Sequence, residues 1–348
     1  MITVNIDEKN KTYPIYITNK DISKEDITEL TEDRNYVVVI SEKVEKLYGK
    51  TLDLKNKFVL KDGEKQKNFK NYQKILDFCF KHKLSRNDYI IAIGGGVVGD
   101  ITGFVASTYM RGINFIQVPT TLLACVDSSV GGKTAINNDF GKNLVGAFYQ
   151  PKAVLINTNF LKTLSERELK TGLGEVVKYG FIEKSCMAED ETNLLNFLEQ
   201  NTVQILDKNT KILNQIIEMC VKLKVSVVQK DEKEEGLRRI LNFGHTYGHA
   251  IEKLSKYKYT HGECVVAGIL FAFDLALKNE FIDKNYNFFM QEVLKKFDFK
   301  PVQKYDLSKV IPLMKTDKKS SDNKIRFILP TDYATVKEVE FNDLLTIS

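Results

Sequence analysis

The stretch Tyr89-Ile-Ile-Ala-Ile-Gly-Gly-Gly-Val-Val-Gly-Asp100 decides how the first half of the chain is read. Its apolar run predicts a buried strand, the glycines a tight turn, and the residues from Val97 onward a helix. Glycine lets the backbone approach a pyrophosphate, and a helix N-terminus offers amide donors and a favourable dipole for it. The pattern is GGGxxGD, so the standard GxGxxG fingerprint is not met, and a plain strand-to-helix turn is the competing reading.

Working outward, short strand-like runs at 36–40, 58–60, 115–118 and 153–156 alternate with polar helical stretches, the rhythm of an open α/β sheet. Beyond about residue 164 strand signals fade, and amphipathic patterns at 203–228 and 262–278 predict helices. A last pair of strands is expected at 325–329 and 335–339. The sequence therefore predicts an open α/β domain over 1–155 and a helical domain over 156–348, with a cleft between them. No internal repeat or low-complexity tract interrupts this plan.

The chain has 348 residues, 51 Lys and Arg against 46 Asp and Glu, and no run of like charge, which argues against a nucleic-acid surface. Five widely spaced cysteines without a CxxC pair read as buried thiols in a reducing compartment. The N-terminus shows strand-like alternation instead of a secretory pattern, and the most apolar stretch, 264–277, is too short to span a membrane. A soluble, cytoplasmic protein is expected.

Histidine is scarce, four in all, and three of them fall within seventeen residues: His245, His249 and His261. In Phe243-Gly-His-Thr-Tyr-Gly-His249 two imidazoles four apart share a helix face. Thr260-His-Gly-Glu263 starts the next helix and can bring a third. Glu175 stands in an apolar helical stretch, where a buried carboxylate needs a cation or metal. One Glu and two His make a three-ligand zinc site with an open position, the catalytic arrangement. Spacing alone does not choose between His249 and His261, and His82, in a basic stretch, reads as inert. Around these lie loop cations beside glycines and hydroxyls, in Thr108-Tyr-Met-Arg-Gly, Asp127-Ser-Ser-Val-Gly-Gly-Lys133 and Phe140-Gly-Lys-Asn143. With Lys178, Lys224, Arg238 and Asn242 they suit phosphate or carboxylate recognition. Arg238 and Asn242, spaced i, i+4, are expected on the same helix as the metal histidines.

Taken together, GGGVVGD, TYMRG, QVPTTLLACVDSSVGGKTAIN, GKNLVGAFYQP, ELKTGLGEVVKYG, NFGHTYGHAIE and HGE closely resemble the 3-dehydroquinate synthase family, in the family's order and over nearly the whole chain. DSSVGGKT and FGHTxGHA are the most specific of these and are otherwise shared with close sugar-phosphate cyclases. The resemblance implies a homodimer of the dehydroquinate synthase-like fold, with a Rossmann-like NAD-binding domain over 1–155 and a helical metal- and substrate-binding domain over 156–348, that uses NAD and Zn2+, with Co2+ as a substitute. The implied substrate is a phosphorylated keto-acid, 3-deoxy-arabino-heptulosonate 7-phosphate of the shikimate pathway to aromatic amino acids. The implied course is transient oxidation of a carbinol, loss of phosphate, reduction and intramolecular aldol closure to 3-dehydroquinate.

By the same resemblance, Glu175, His245 and His261 hold the metal and His249 is left for proton transfer. NAD falls on Asp62, Gly63, Glu64, Lys65, Gln66, Lys67, Gly96, Val97, Val98, Gly99, Asp100, Thr120, Thr121, Phe160, Leu161, Lys162 and Thr163, with Lys133 and Lys142 near the nicotinamide. Substrate falls on Arg111, Asp127, Lys133, Lys142, Asn143, Lys178, Lys224, Arg238, Asn242 and Lys318 or its neighbour Lys319. Three positions depart from the family's usual pattern. Gly174 stands for Ala before the metal Glu, which loosens the helix by roughly 1 kcal/mol on propensity. Asn138 stands where His is frequent, and Ser41-Glu42 where a shorter acid or amide is common. The rivals are a metal-dependent NAD polyol dehydrogenase, a cyclase of another sugar phosphate, and a nucleotide-binding scaffold without chemistry.

Overall fold

The computed structural model of the chain describes residues 1–6, 11–186, 188, 193–317 and 324–341. These fall into two compact units, one of Met1–Leu164 with Leu213–Val221 and one of Ser165–Ile212 with Lys222–Ser348.

In the first unit β1 (Ile2–Ile6) pairs antiparallel with β2 (Lys11–Thr18). Then α1 (Lys24–Leu30) leads to β3 (Tyr36–Ser41), α2 (Glu42–Leu52) to β4 (Lys57–Leu60), α3 (Phe69–Lys81) to β5 (Tyr89–Gly94), and α4 (Gly96–Thr108) to β6 (Asn114–Pro119). A separate antiparallel pair, β7 (Lys133–Asn138) and β8 (Gly141–Phe148), precedes β9 (Ala153–Asn157), which rejoins the main sheet. The seven-stranded order is β1-β2-β9-β6-β5-β3-β4, parallel from β2 onward.

Every residue of β5 is buried, as a strand covered on both faces must be. Alternate residues serve opposite faces. Val37, Val39, Ile90 and Ala92 pack with Ile75 and Cys79 of α3 and Ile101 and Val105 of α4. Val38, Ile40, Ile91 and Ile93 pack with Ile27 of α1 and Val44 and Leu52 of α2. Each such aliphatic side chain contributes about 1.5–3 kcal/mol on burial. The strand-to-helix turns are set by local caps: the Ser41 and Asn68 side chains accept from the amides of Val44 and Asn71.

The second unit contains α5 (Glu166–Ile182), α6 (Leu194–Gln200), α7 (Thr202–Leu206), α8 (Thr210–Lys230), α9 (His245–Leu254), α10 (His261–Lys278), α11 (Lys284–Lys296) and α12 (Leu307–Asp317). The middle of α8, Leu213–Val221, clusters with the first unit. An antiparallel pair, β10 (Ile325–Asp332) and β11 (Thr335–Phe341), accompanies the helices, so the unit is helical with one small sheet among the described residues. The amphipathic stretch 203–228 divides in two because Lys208 adopts a left-handed backbone and the Asn209 side chain caps a new helix.

The five cysteines are buried and unpaired with one another, and burial pushes the Cys79 thiol up to about 12, which keeps it a thiol. Among the described residues no helix is long and apolar enough to cross a membrane.

Candidate functional site

In the first unit the glycine turn closes β5 and opens α4. Gly95 caps α4 with no side-chain hydrogen bond, which leaves the first helical amides for another partner. The backbone here is hemmed in: a Cβ on Gly95 would lie 3.1 Å from Thr121 Cγ2, and one on Gly96 3.1 Å from Ser128 Oγ. An uncapped helix start in a turn without side chains fits a nucleotide pyrophosphate.

Beside it, Lys67 is buried, and its ammonium meets Asp100 Oδ2 at 2.8 Å and Glu64 Oε1 at 3.3 Å. Burial works against the Lys67 charge, but Asp100 and Glu64 outweigh it and hold the ammonium above the usual lysine range. Burial raises the Asp100 carboxyl despite that lysine. Gly63, with φ of 104°, turns the chain into Glu64, while the Asp62 carboxylate accepts from the amide of Lys43 at 3.0 Å. Phe160 packs edge-on to Tyr48 at 4.9 Å, and Tyr48 Oη lies 2.8 Å from Thr163 Oγ1, so the 160–163 turn is tied to α2. Leu161 is buried in that turn, whereas Lys65 and Lys162 are exposed.

Thr120 is buried at the end of β6, and Thr121 Oγ1 accepts from the amide of Ala124. That bond opens the π-helical turn Ala124–Ser128, which carries Asp127. Arg111 and Asn143 are held at φ of 67° and 59°, a conformation uncommon outside glycine. Lys133 starts β7, and Lys142 and Asn143 lie on β8. Asn137 joins these pieces: its amide donates to Lys67 O at 2.8 Å, its Nδ2 to Glu64 Oε1 at 2.7 Å, and its Oδ1 accepts from the amide of Asn143 at 3.0 Å. It sits where the β7–β8 register shifts. A cavity of about 770 Å³ at the amino ends of β5, β6 and β9, lined by Tyr16, Ile22, Leu30 and Tyr89 among others, contains none of the expected site residues.

In the second unit the three expected metal ligands converge. Glu175 is fully buried on α5, His245 is the first residue of α9, and His261 the first of α10. Glu175 Oε1 lies 3.3 Å from His245 Nε2 and 3.1 Å from His261 Nε2, and one donor atom from each residue falls within 4.8 Å of the others. Burial opposes the Glu175 charge, but Lys178, 2.5 Å away, and His245 hold its carboxyl well below the usual carboxylate range.

Both imidazoles are held from behind. His245 Nδ1 lies 3.0 Å from Phe243 O, and His261 Nδ1 lies 2.8 Å from Glu252 Oε1. A carbonyl or carboxylate oxygen can only accept, so both Nδ1 atoms carry protons and both Nε2 atoms face the shared centre. Burial takes the His245 imidazole below its usual value. It works against the His261 charge too, yet the hydrogen bonds to Glu175 and Glu252 push that imidazole up to about 10. The His249 ring stands 5.2 Å from that of His245 and 6.0 Å from that of His261. It is thus a neighbour of the triad and lies outside it. Two imidazoles and a carboxylate with Nε2 atoms turned inward fit a zinc ion with room for a further ligand. The fourth histidine, His82, is exposed and bonded to Phe78 O.

Glycines bring these three helices together. A Cβ on Gly174 would lie 2.6 Å from Gly262 Cα, and one on Gly262 2.2 Å from Thr171 O. Glu175 and His261 are the chain neighbours of those two glycines. On the other side of α10, Gly244 and Gly248 meet the backbone of Val265 and Cys264, and Gly268 meets Gly244 O. Gly174 is therefore more than a loosened helix position: its missing methyl permits the contact that sets Glu175 beside His261.

Three further cations expected here are buried: Lys178, Lys224 and Arg238. Arg238 Nη1 donates to Glu232 O, and its amide to Asp231 Oδ2 at 2.9 Å. Asn242 Nδ2 donates to Glu234 Oε1 at 2.5 Å. One expectation is corrected. Arg238 and Asn242 lie on a separate 3-10 helix, Leu237–Asn242, because Phe243 is extended and Gly244 left-handed, which ends that helix before α9 begins. Lys318 and Lys319 fall outside the described residues.

Residues 57–171 match the family description "3-dehydroquinate synthase N-terminal", and residues 172–320 match "3-dehydroquinate synthase C-terminal". A curated relative, 3-dehydroquinate synthase of Dictyoglomus thermophilum, is 44% identical over 344 residues, covering 98% of this chain and 95% of its own length. The chain belongs to the 3-dehydroquinate synthase family. The family's structural relatives share the fold. A 2-epi-5-epi-valiolone synthase from Streptomyces hygroscopicus with NAD+ and Zn2+ bound superposes with a TM-score of 0.84 at 22% identity, covering 97% of each chain. A 2-deoxy-scyllo-inosose synthase complexed with carbaglucose-6-phosphate, NAD+ and Co2+ gives 0.82 at 24% identity, over 97% of this chain and 93% of that one.

Sequence reasoning missed the roles of Asn137, Glu234 and Glu252. Glu252 had a readable signal, since it lies seven residues, two helical turns, after His245 and so on the same face. Asn137 and Glu234 had none, because their contacts join distant or irregular segments.

Proposed function

We propose that the chain converts 3-deoxy-arabino-heptulosonate 7-phosphate into 3-dehydroquinate and phosphate, as a cytoplasmic homodimer, with the first unit binding NAD and the second binding zinc. The observation that carries the metal part is buried Glu175 met by the half-buried His245 and His261, with both Nε2 atoms within 3.3 Å of one carboxylate oxygen. The structural relatives named above were solved with NAD+ and either Zn2+ or Co2+, which agrees with this donor set.

A zinc ion held there would supply a Lewis acid that makes a carbinol hydroxyl more acidic, and NAD would supply a reversible hydride acceptor. The chain's own residues do the remainder. Asp62–Lys67, Gly96–Asp100, Thr120, Thr121 and the 160–163 turn hold the nucleotide. His249, beside two ligands, takes and returns the hydroxyl proton. Lys178 pairs with Glu175 at 2.5 Å and offsets the charge of that carboxylate. Arg111, Asp127, Lys133, Lys142, Asn143, Lys224, Arg238, Asn242 and Lys318 position the phosphate and carboxylate. Cations fixed around one dianion stabilise its departure. With NAD bound, oxidation at the carbinol would acidify the neighbouring C–H for loss of phosphate, and reduction of the carbonyl would precede aldol closure by the enol. The hydride taken would be the hydride returned, so NAD would not be consumed.

The test is phosphate release from the heptulosonate phosphate with trace NAD, with NADH absorbance followed at the same time. Stoichiometric phosphate without NADH accumulation, lost on chelation and restored by zinc, is expected. Accumulating NADH would establish the polyol dehydrogenase, and silence with this substrate but turnover of another sugar phosphate would establish a different cyclase.

A further inference from the structure

We infer that Glu252 is a positioning residue for the metal centre, fixing the ring orientation and tautomer of His261. The inference rests on the assignment of Glu175, His245 and His261 as ligands, and it concerns a residue to which that assignment gives no role.

The two histidines reach the same centre from helix starts, yet they are secured differently. His245 needs no outside help, since its Nδ1 lies 3.0 Å from Phe243 O, two residues earlier in its own chain segment. The extended backbone of Phe243 and the left-handed Gly244 place that carbonyl under the ring. At His261 the preceding residue is Thr260, which is committed to a capping box: its hydroxyl accepts from the amide of Glu263 and its own amide donates to Glu263 Oε2 at 2.7 Å. The ring is instead backed by a side chain from another helix, Glu252 of α9, whose Oε1 lies 2.8 Å from Nδ1.

Glu252 is 7% exposed, and the carboxylate is thus withdrawn from water in a helix whose outward positions are open to charged residues. A buried acid is costly unless it meets a donor, and His261 Nδ1–H meets Glu252 at 2.8 Å. An imidazole without this bond could bind through either nitrogen or rotate about its χ2 angle. With the bond, Nδ1 keeps its proton, Nε2 is directed at Glu175, and the negative charge behind the ring makes Nε2 a stronger donor to a cation. One further point separates the two histidines. Because Phe243 O belongs to the backbone, no substitution can remove it, so Glu252 is the one support of the pair that mutation can test.

The experiment compares metal-stripped wild type, Glu252→Ala and Glu252→Gln. It measures zinc affinity by competition with a chromophoric chelator, the visible spectrum after Co2+ loading, and the melting temperature of the metal-free proteins. Glu252→Ala is expected to weaken zinc roughly 10–100-fold and to alter the cobalt spectrum, with the metal-free melting temperature close to that of wild type. Glu252→Gln keeps a carbonyl acceptor for Nδ1–H and is expected to recover most of the loss. Wild-type affinity in Glu252→Ala would overturn the inference. So would equal losses in both variants accompanied by an equal fall in metal-free stability, since that marks a structural role. Should the alanine variant not fold, ¹⁵N NMR of the zinc-loaded wild type decides: a protonated Nδ1 on His261 supports the assignment and a metal-bound Nδ1 overturns it. Failure of wild type to bind zinc at all would sink the ligand assignment itself, and the inference with it.

Discussion

The glycine turn of the first unit and the helix crossings of the second use the same residue for opposite ends. At Gly95 and Gly96 the missing side chains leave a helix start uncapped, with only the tips of Thr121 and Ser128 nearby. At Gly174, Gly262, Gly244 and Gly268 the missing side chains are replaced by other backbone, within 2.6 Å of the Cα of Gly262 in the first case. The first kind of glycine leaves backbone open at a helix start, where we propose a nucleotide. The second makes room for the protein itself, and the proposed metal ligands Glu175 and His261 stand one residue away. A binding residue can therefore owe its position to a neighbour that touches no ligand.

The widest separation is expected inside the metal cluster. His245→Ala should lose zinc and about 10³-fold or more of turnover. His249→Ala should keep wild-type zinc content while losing about 10²–10⁴-fold in kcat. Metal analysis beside steady-state kinetics checks both, and loss of zinc from the His249 variant would dissolve the distinction between ligand and neighbour.

A smaller effect tests the crossings. An alanine at Gly262 drives a methyl to 2.2 Å from a backbone oxygen, which cannot rotate away, so Gly262→Ala should cost about 3 kcal/mol and weaken zinc as α5 and α10 part. Denaturant unfolding of the metal-free protein and a chelator titration measure the two. The smallest effect belongs to the turn. In Gly96→Ala the methyl meets a serine hydroxyl at 3.1 Å, which can turn aside, so stability should change by less than about 0.5 kcal/mol while the KM for NAD rises. If Gly96→Ala proved the more destabilising of the two, the contrast drawn between these glycines would be reversed.

Much of this was legible in the chain itself. The run 89–100 announced its strand, turn and helix because apolar residues, glycines and an amphipathic pattern follow one another without interruption. The candidate metal cluster stood out because histidine is scarce and Glu175 interrupts an apolar helix, although spacing did not choose between His249 and His261. The β7–β8 pair escaped notice, since glycines and polar residues interrupt its apolar positions and Leu144 and Phe148 are exposed. The break between Asn242 and His245 depends on a left-handed Gly244, which a helical spacing of Arg238 and Asn242 conceals. The contact of Gly174 with Gly262 joins positions 88 residues apart, and no local pattern records such a meeting. The bond from Glu252 to His261 was half visible, as a shared helix face with no indication of what it faced.

His245 and His261 are the first residues of their helices, α9 after an uncapped Gly244 and α10 after Thr260. The positive ends of two helix dipoles thus lie at the proposed cation site, where each would work against a cation by about 0.3–1 kcal/mol. The same field favours negative charge. If the proposed ion and substrate sit there, the helix starts would oppose the ion and favour a deprotonated oxygen beside it.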